Sequence, residues 1–243
     1  MPPTTHDNTI AKPPTKPSAT AEHPPLQKPD PTLESNNARE GRLPSTASSR
    51  APEFTSPAIS SELNLLTTRL RGSLRQFEDF PSPGIIFEDI FPIFADCALH
   101  GTLIRALELH VLQAYEQPPD VVVGLDARGF LFGPSLALRL GAGFVPVRKR
   151  GKLPGKCETA SFVKEYGEDY FQMQSDAVKR GQKVLVVDDI IATGGSAAAA
   201  GSLVKKLGGE LLGYVFILEL DFLQGRAKLD APVYTLLSSQ AKS

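Results

Sequence analysis

The stretch "VVDDIIATGGSAAA", residues 186–199, joins an apolar run, an acidic pair and a glycine turn that leads into alanines. The valines predict a buried strand, and the alanines after the turn predict a helix. The first N–H groups of a helix have no partner within it, and the helix dipole adds partial positive charge there. The turn therefore predicts a site for one phosphate, formed by Ala192, Thr193, Gly194, Gly195 and Ser196.

The acidic pair, Asp188 and Asp189, stands just before this turn. Two carboxylates in contact with a phosphate would repel it, so they must face another part of the ligand. Neighbouring sugar hydroxyls fit, because each can donate to one carboxylate, and the pair would also stabilise positive charge developing at an anomeric carbon. The stretch lacks the Gly-Lys-Ser/Thr of a Walker loop and the Gly-x-Gly-x-x-Gly of a dinucleotide site. It predicts a phosphorylated ribose as ligand.

Apolar runs and helical stripes alternate on either side of this stretch. The runs predict strands at 120–125, 143–147, 183–190, 211–220 and 232–237. Leucines spaced three or four residues apart predict helices around 63–74 and 99–111, and two more helices are expected at 130–141 and 200–207. Pro146 indicates a strand end or an edge. Apolar strands separated by helices indicate an α/β fold, with a mostly parallel central sheet whose carboxyl ends bind ligands.

Composition excludes several other classes of protein. The 243-residue chain has a formal net charge of -1, which offers no electrostatic argument for nucleic acid or an anionic membrane surface. No apolar run approaches the roughly 18 residues of a membrane span. Two cysteines, Cys97 and Cys157, indicate no disulfide framework and favour a reducing, cytoplasmic location. The histidines lack metal-ligand spacing, and His110 is expected on a helix surface.

Residues 1–58 differ in composition from the remainder, residues 59–243. They hold 12 of the 21 prolines and few apolar residues, so they are expected to form a disordered extension. A transit peptide is disfavoured by six acidic residues in this stretch.

Several separate segments resemble one family. Residues 184–196 match the signature with which phosphoribosyltransferases bind 5-phosphoribosyl 1-diphosphate. "FEDFPSPGIIFEDI" (77–90), "GLDARGFLFGPSLALRLG" (124–141), "VRKRGKLPG" (147–155) and "EYG" (165–167) resemble the adenine phosphoribosyltransferases. The resemblance runs from about residue 60 to the end. It implies the type I phosphoribosyltransferase fold with a small hood and lid, and a purine-salvage glycosyltransferase that makes AMP and diphosphate from adenine.

The resemblance also implies roles for residues outside the opening stretch. The diphosphate would be bound by Asp126, Ala127, Arg128, Arg148 and Lys152. In similar enzymes the positions of Arg148 and Lys152 reach the diphosphate partly from a neighbouring subunit, which implies a homodimer. Arg128 would act in catalysis together with Asp188 and Asp189, since its guanidinium offers a fork of donors to phosphate oxygens.

Residues 155–172 show no clear period and correspond to the family's mobile lid. There Glu165 would lie near the purine's imidazole edge and assist proton removal, and Tyr166 would help to seal the lid. Adenine would be bound by Ile86, Phe87, Glu88, Ile190 and Ile191. Mg²⁺ is expected to travel on the diphosphate and ribose hydroxyls, without direct protein ligands.

Two alternatives stay open at this point. The same fold could act on another base, such as hypoxanthine, guanine or orotate. A non-catalytic regulator could instead bind the ribosyl diphosphate as a signal, although such a protein would carry an added nucleic-acid-binding domain or a basic face.

Overall fold

The structure is a computed structural model, and it describes residues 56–80, 83–84, 86–164 and 167–237. Most of the predicted extension (1–55) and the predicted lid residues Glu165 and Tyr166 lie outside the described residues. The five helices in the described ranges are α1 (Ser56–Arg71), α2 (Phe91–Ala95), α3 (Cys97–Ala114), α4 (Gly133–Leu140) and α5 (Gly195–Lys206). The first helix thus begins at Ser56, so residues 56–58 of the predicted extension are helical.

The strands form two sheets. They are β1 (Arg75–Phe77), β2 (Phe87–Asp89), β3 (Val121–Leu125), β4 (Gly143–Lys149), β5 (Cys157–Lys164), β6 (Gly167–Gln174), β7 (Lys183–Ile191), β8 (Glu210–Glu219) and β9 (Val233–Leu237). A seven-stranded sheet has the order β5-β6-β4-β3-β7-β8-β9, and β1 pairs with β2 in a separate two-stranded hairpin. In the large sheet β4, β3, β7, β8 and β9 run parallel, whereas β6 is antiparallel to both β4 and β5. The predicted mostly parallel sheet is confirmed.

Both faces of the sheet are covered, which explains the uninterrupted valine runs. In β7, Leu185 and Val187 pack in the core on one side with residues of α3 and α4. Val184 and Val186 point the other way and pack in a second core with residues of α5. Because successive side chains in a strand alternate between faces, a strand covered on both faces must be apolar at every position.

The 155–172 segment has regular structure that its sequence did not indicate. It forms the antiparallel hairpin of β5 and β6, which extends the sheet beyond β4. Alternate side chains of the hairpin are buried, namely Ala160, Phe162, Phe171 and Met173. Polar residues between the two strands interrupt this alternation of buried side chains, so the sequence shows no clear period of two.

Two local predictions are refined by the sheet. Pro146 lies inside β4, where it pairs with Gly124 of β3, whereas the pairing of β4 with β6 involves Arg148 and Lys149. The proline therefore occupies a stretch paired on one side, where a missing N–H costs little. The predicted helix at 130–141 is divided into a 3₁₀ turn, Arg128–Leu131, and α4.

His110 differs from its prediction. Instead of projecting from the surface of α3, its ring stacks on Tyr234 of β9, with centroids 3.3 Å apart and planes at 7°. Burial lowers the pKa of His110 from 6.5 to about 4, so the ring is neutral at physiological pH. Leucine spacing placed the helix correctly but did not predict that β9 would cover this position.

Within the described ranges, none of the helices combines the length and the apolar character that crossing a bilayer requires.

Candidate active site

Three adjacent strands deliver the predicted site residues to one edge of the sheet. β3 lies between β4 and β7 and runs parallel to both, so the carboxyl ends of all three strands meet. The 126–128 loop follows β3, Arg148 is the second-to-last residue of β4, and Asp188 and Asp189 lie near the end of β7. Residues far apart in the chain are thus neighbours, as expected at the carboxyl edge of an open α/β sheet.

The acidic pair is the most perturbed group of this edge. Burial and the neighbouring charge of Asp189 raise the pKa of Asp188 well above its ordinary value. Burial also raises the pKa of Asp189, which is only 4% exposed, although the guanidinium of Arg128 opposes that shift. Raised pKa values mean that the negative charge is under-compensated in the ligand-free site. A ligand that carries or develops positive charge would be stabilised there.

Arg128 joins the 126–128 loop to the acidic pair. Its Nε lies 2.8 Å from Oδ2 of Asp189. Gly129 allows this approach, because a Cβ at that position would lie 2.9 Å from the carbonyl oxygen of Val187 and 3.4 Å from Oδ1 of Asp188. The glycine after Arg128 therefore lets the loop lie directly on the end of β7.

The glycine turn leads into α5 as predicted. Gly194 has a φ of 77°, a left-handed conformation that favours glycine, and α5 begins at the next residue. A cavity of about 240 Å³ lies over this turn. Its lining comprises Asp126–Arg128, the stretch from Asp188 to Ala197, and Phe216. The structure thus brings the predicted ribose and phosphate residues together around one polar cavity.

The two remaining predicted cations are connected to the cavity through Asp126. Arg148 donates from Nε to Oδ2 of Asp126, a residue of the cavity lining, at 2.9 Å and from an Nη to the carbonyl oxygen of Lys152 at 3.2 Å. Lys152 itself is exposed. Asp126 therefore holds the Arg148 guanidinium beside the 126–128 loop.

A second, aromatic cavity of about 450 Å³ adjoins the first at Arg128. Its lining comprises Phe77, Phe80, Phe87, Asp89, Phe91 and Arg128. The β1–β2 hairpin supplies most of it, and the Phe80 and Phe87 rings meet edge to face with centroids 5.1 Å apart. Arg75 donates to Asp89 at 2.5 Å, and Asp89 accepts from the backbone N–H of Phe91 at 2.9 Å. Asp89 thereby connects β1, β2 and α2.

Three of the five predicted adenine residues line one of the two cavities, whereas Ile86 and Glu88 are in neither lining. Phe87 lines the aromatic cavity, whereas Ile190 and Ile191 line the polar one. Ile86 is partly buried beside Phe87 in the chain, and the Glu88 side chain accepts from Gln76 at 3.3 Å. Ile191 is 2% exposed and packs mainly in the core.

Sequence reasoning missed several residues of the cavity linings, namely Phe77, Phe80, Phe91, Asp89 and Phe216. The dense phenylalanines of 77–91 were a usable signal, because four of them in fifteen residues exceed what a short loop needs. Phe216 had no such signal, since it stands inside an apolar strand.

Comparisons with known proteins agree with this geometry. Residues 99–243 match the phosphoribosyl transferase domain. The adenine phosphoribosyltransferase of Yarrowia lipolytica is 63% identical over 179 residues, covering 73% of this chain and 98% of that protein. Adenine phosphoribosyltransferase 1 of Saccharomyces cerevisiae is 57% identical over 72% of this chain and 94% of its own length.

The chain belongs to the adenine phosphoribosyltransferase family.

A solved structure of the family extends the agreement to three dimensions. The crystal structure of the Saccharomyces cerevisiae adenine phosphoribosyltransferase, complexed with D-2,5-dideoxy-2,5-imino-altritol 1,6-bisphosphate and adenine, has a TM-score of 0.70 and 56% sequence identity. It covers 72% of this chain, and 99% of that chain is matched. The predicted type I phosphoribosyltransferase fold is confirmed, as is the family resemblance read from the separate motifs.

Proposed function

We propose that this protein transfers the 5-phosphoribosyl group from 5-phosphoribosyl 1-diphosphate to adenine, with AMP and diphosphate as products. The observation that carries the proposal is the pair of adjoining cavities that meet at Arg128. One is polar and formed by the acidic pair and glycine turn, and the other is aromatic. Their chemistry suits a ribose phosphate on one side and a flat base on the other. Membership of the adenine phosphoribosyltransferase family supports the same conclusion.

The 5-phosphate is bound by the turn from Ala192 to Ser196. Backbone N–H groups at the start of α5 donate to it, and the hydroxyls of Thr193 and Ser196 supply further donors. The ribose hydroxyls then donate to Asp188 and Asp189, which stand a few residues upstream in the lining of the same cavity. This assigns the two ends of the sugar phosphate to one continuous segment.

The acidic pair also acts in the chemical step. As the bond from the anomeric carbon to diphosphate lengthens, positive charge develops on the sugar ring. The under-compensated charge of Asp188 and Asp189 stabilises this transition state more than the neutral ground state, which lowers the barrier.

The leaving diphosphate is bound by the loop of Asp126, Ala127 and Arg128. Arg128 can exchange its contact with Asp189 for phosphate oxygens, since a guanidinium presents several donors in one plane. Arg148, which is bonded to Asp126 of this loop, and Lys152 add positive charge for the departing group, which carries increasing negative charge.

Adenine stacks against Phe87 in the aromatic cavity, with Ile190 and Ile191 toward the sugar. We expect main-chain groups of Ile86 and Glu88 to read the base edge, one carbonyl accepting and one N–H donating. Hypoxanthine reverses this donor and acceptor pattern, so it would leave buried groups unpaired at a cost of about 1–3 kcal/mol each. The expected preference for adenine is roughly 30-fold to 10⁴-fold.

Mg²⁺ fits this site as a partner of the substrate. Within the described ranges, no group of three or more His, Cys, Asp and Glu side chains is placed to hold a metal ion. The oxygen-rich acidic pair could still face a cation held by ribose hydroxyls and diphosphate. When bound, Mg²⁺ would neutralise diphosphate charge, while Asp188 and Asp189 orient the ribose hydroxyls.

Closure of the 155–172 lid would exclude water from the anomeric carbon, since water competes with adenine. Glu165 would assist removal of the proton from the attacking purine, and Tyr166 would help to seal the lid. A Glu165→Gln variant tests this role, because it should lower kcat while leaving the KM for the ribosyl diphosphate near the wild-type value.

A cytoplasmic homodimer is the expected form. Two leucines support association: Leu131 and Leu138, in the turn and helix that follow the diphosphate loop, are 40% and 82% exposed. Sedimentation equilibrium of the wild-type protein and of Leu138→Glu tests it, with a dimer expected for the first and a weakened dimer for the second.

An assay for AMP formation tests the proposed function. Purified protein with Mg²⁺ and the ribosyl diphosphate should convert adenine, and kcat/KM for hypoxanthine and guanine should be far lower. Comparable values for adenine and hypoxanthine would reject adenine specificity, and no product from any base would indicate a binding protein instead.

A further inference from the structure

The 220–228 segment follows β8, the strand next to β7, and packs against the glycine turn of Ala192 to Ser196. Glu219, the last residue of β8, lies opposite Ile191 of β7 in the sheet. The backbone N–H of Leu220 then donates to the carbonyl oxygen of Ile191 at 2.9 Å. The 220–228 segment is therefore attached to β7 one residue before the turn begins.

The segment meets the turn backbone to backbone at Gly225. A Cβ on Gly225 would collide with the carbonyl oxygen of Ala192 and would lie 2.8 Å from the backbone nitrogen of Gly194. In the reciprocal case, a Cβ on Gly194 would collide with the carbonyl oxygen of Gly225. Two backbone segments of the chain touch here, and the contact tolerates only glycine on either side.

Arg226, the next residue, is held by a buried carboxylate. Its Nε donates to the two carboxylate oxygens of Glu219 at 2.6 and 2.8 Å, and one Nη donates to the carbonyl oxygen of Val233 at 2.7 Å. Glu219 is only 6% exposed and also accepts from the hydroxyl of Thr235 at 3.0 Å. These bonds link the 220–228 segment to the ends of β8 and β9, so Gly225 has little freedom to move.

We infer that Gly225 and Arg226 are positioning residues for the 5-phosphate, which hold the backbone of the glycine turn in the orientation that binds it. The inference rests on the proposed function and extends it to a segment that packs on the turn but supplies no residue to the lining of the polar cavity. Backbone donors bind an anion well only when their direction is preset, because reorienting them during binding costs free energy.

The inference predicts a specific kinetic signature. Loosening the turn should weaken binding of the 5-phosphate in ground state and transition state alike. KM for the ribosyl diphosphate should then rise while kcat stays nearly unchanged. KM for adenine should not change, because the 220–228 segment supplies no residue to the lining of the aromatic cavity.

Three variants test the signature. Gly225→Ala pushes directly on the turn, Arg226→Met removes the guanidinium at similar length, and Arg226→Lys keeps the charge but loses the fork. We expect KM for the ribosyl diphosphate to rise about tenfold or more in Gly225→Ala and Arg226→Met, the factor that ~1.4 kcal/mol represents. The KM of Arg226→Lys for the ribosyl diphosphate should lie between the values of these variants and that of the wild type. The dissociation constant of AMP should rise in parallel.

Arg105→Met is the matched control. Arg105 also bonds to a buried carboxylate, Glu108, at 3.1 Å, and it reaches Glu62 at 2.9 Å, but it joins α1 to α3 away from the turn. This variant should lower the melting temperature without changing either KM. If Arg226→Met and Arg226→Lys behave like this control, the contact is merely structural and the inference is wrong. Should Arg226→Met not fold, Arg226→Lys decides alone. A wild-type enzyme that makes no AMP would instead reject the proposed function.

Discussion

The two cavities that meet at Arg128 are constructed in different ways. The polar cavity draws most of its lining from one continuous stretch, Asp188 to Ala197, in which a strand end, a turn and a helix start follow directly. The aromatic cavity is lined by Arg128 and by side chains within residues 77–91, from β1, β2, α2 and the β1–β2 connection, and the packing of these short elements against one another brings the rings together. The polar site thus depends on local backbone direction, whereas the aromatic site depends on how separate elements pack.

The largest expected effect tests the charge of the polar cavity. Asp188→Asn and Asp189→Asn should each lower kcat about 10²-fold, because removing a carboxylate near a developing cation raises the barrier by about 3 kcal/mol. Steady-state kinetics at saturating substrates measure this, with the exposed Asp176→Asn as a control. Near wild-type turnover in both single variants would contradict the proposed role of the pair.

A smaller effect should separate the aromatic cavity from the polar one. Phe87→Ala removes a ring on which the base stacks, which is worth about 1–3 kcal/mol. KM for adenine should rise by roughly tenfold or more, with KM for the ribosyl diphosphate nearly unchanged. Leu65→Ala, at a 71% exposed position of α1, serves as the control. Equal changes in both KM values would mean that the cavities do not bind separate parts of the substrates.

The polar cavity should also cost stability. Folding raises the pKa of Asp188 above its ordinary value of 3.8. Between pH 3.8 and this raised pKa, the folded protein therefore binds more protons than the unfolded chain. The unfolding free energy therefore falls with rising pH, and Asp188→Asn escapes this loss. The variant should melt above the wild type at pH 7.5, with the difference shrinking toward pH 4. Calorimetry showing a lower melting temperature at pH 7.5 would contradict this assignment.

The smallest effect concerns His110, away from both cavities. Its pKa is lowered to about 4, so the unfolded state binds the proton more readily between pH 6.5 and 4. Unfolding free energy therefore decreases as pH falls through this range. His110→Phe keeps a ring against Tyr234 but cannot be protonated, so its melting temperature should fall less. Parallel pH profiles for the two proteins would show that His110 does not titrate this way.

The accuracy of the sequence predictions follows the same division. The strand, acidic pair, turn and helix of 183–207 are found where the sequence placed them, because each depends on neighbours in the chain. The β5–β6 hairpin was missed, since its buried residues are separated by polar ones and its pairing with β4 joins distant segments. The stack of His110 on Tyr234 escaped for the same reason.

The sequence by itself determined the mostly parallel α/β sheet, the family, and the strand, turn and helix on which the proposed phosphate and ribose segment lies. These follow from apolar runs, glycines and carboxylates whose effects act over a few residues. Only the tertiary structure decided that Arg128 reaches Asp189, that phenylalanines of 77–91 form one cavity, and that Gly225 presses on Gly194. The Arg128–Asp189 and Gly194–Gly225 contacts each join residues more than 30 positions apart, so they depend on strand order and close packing, which no local pattern encodes. The phenylalanine cavity depends on how β1, β2 and α2 pack together.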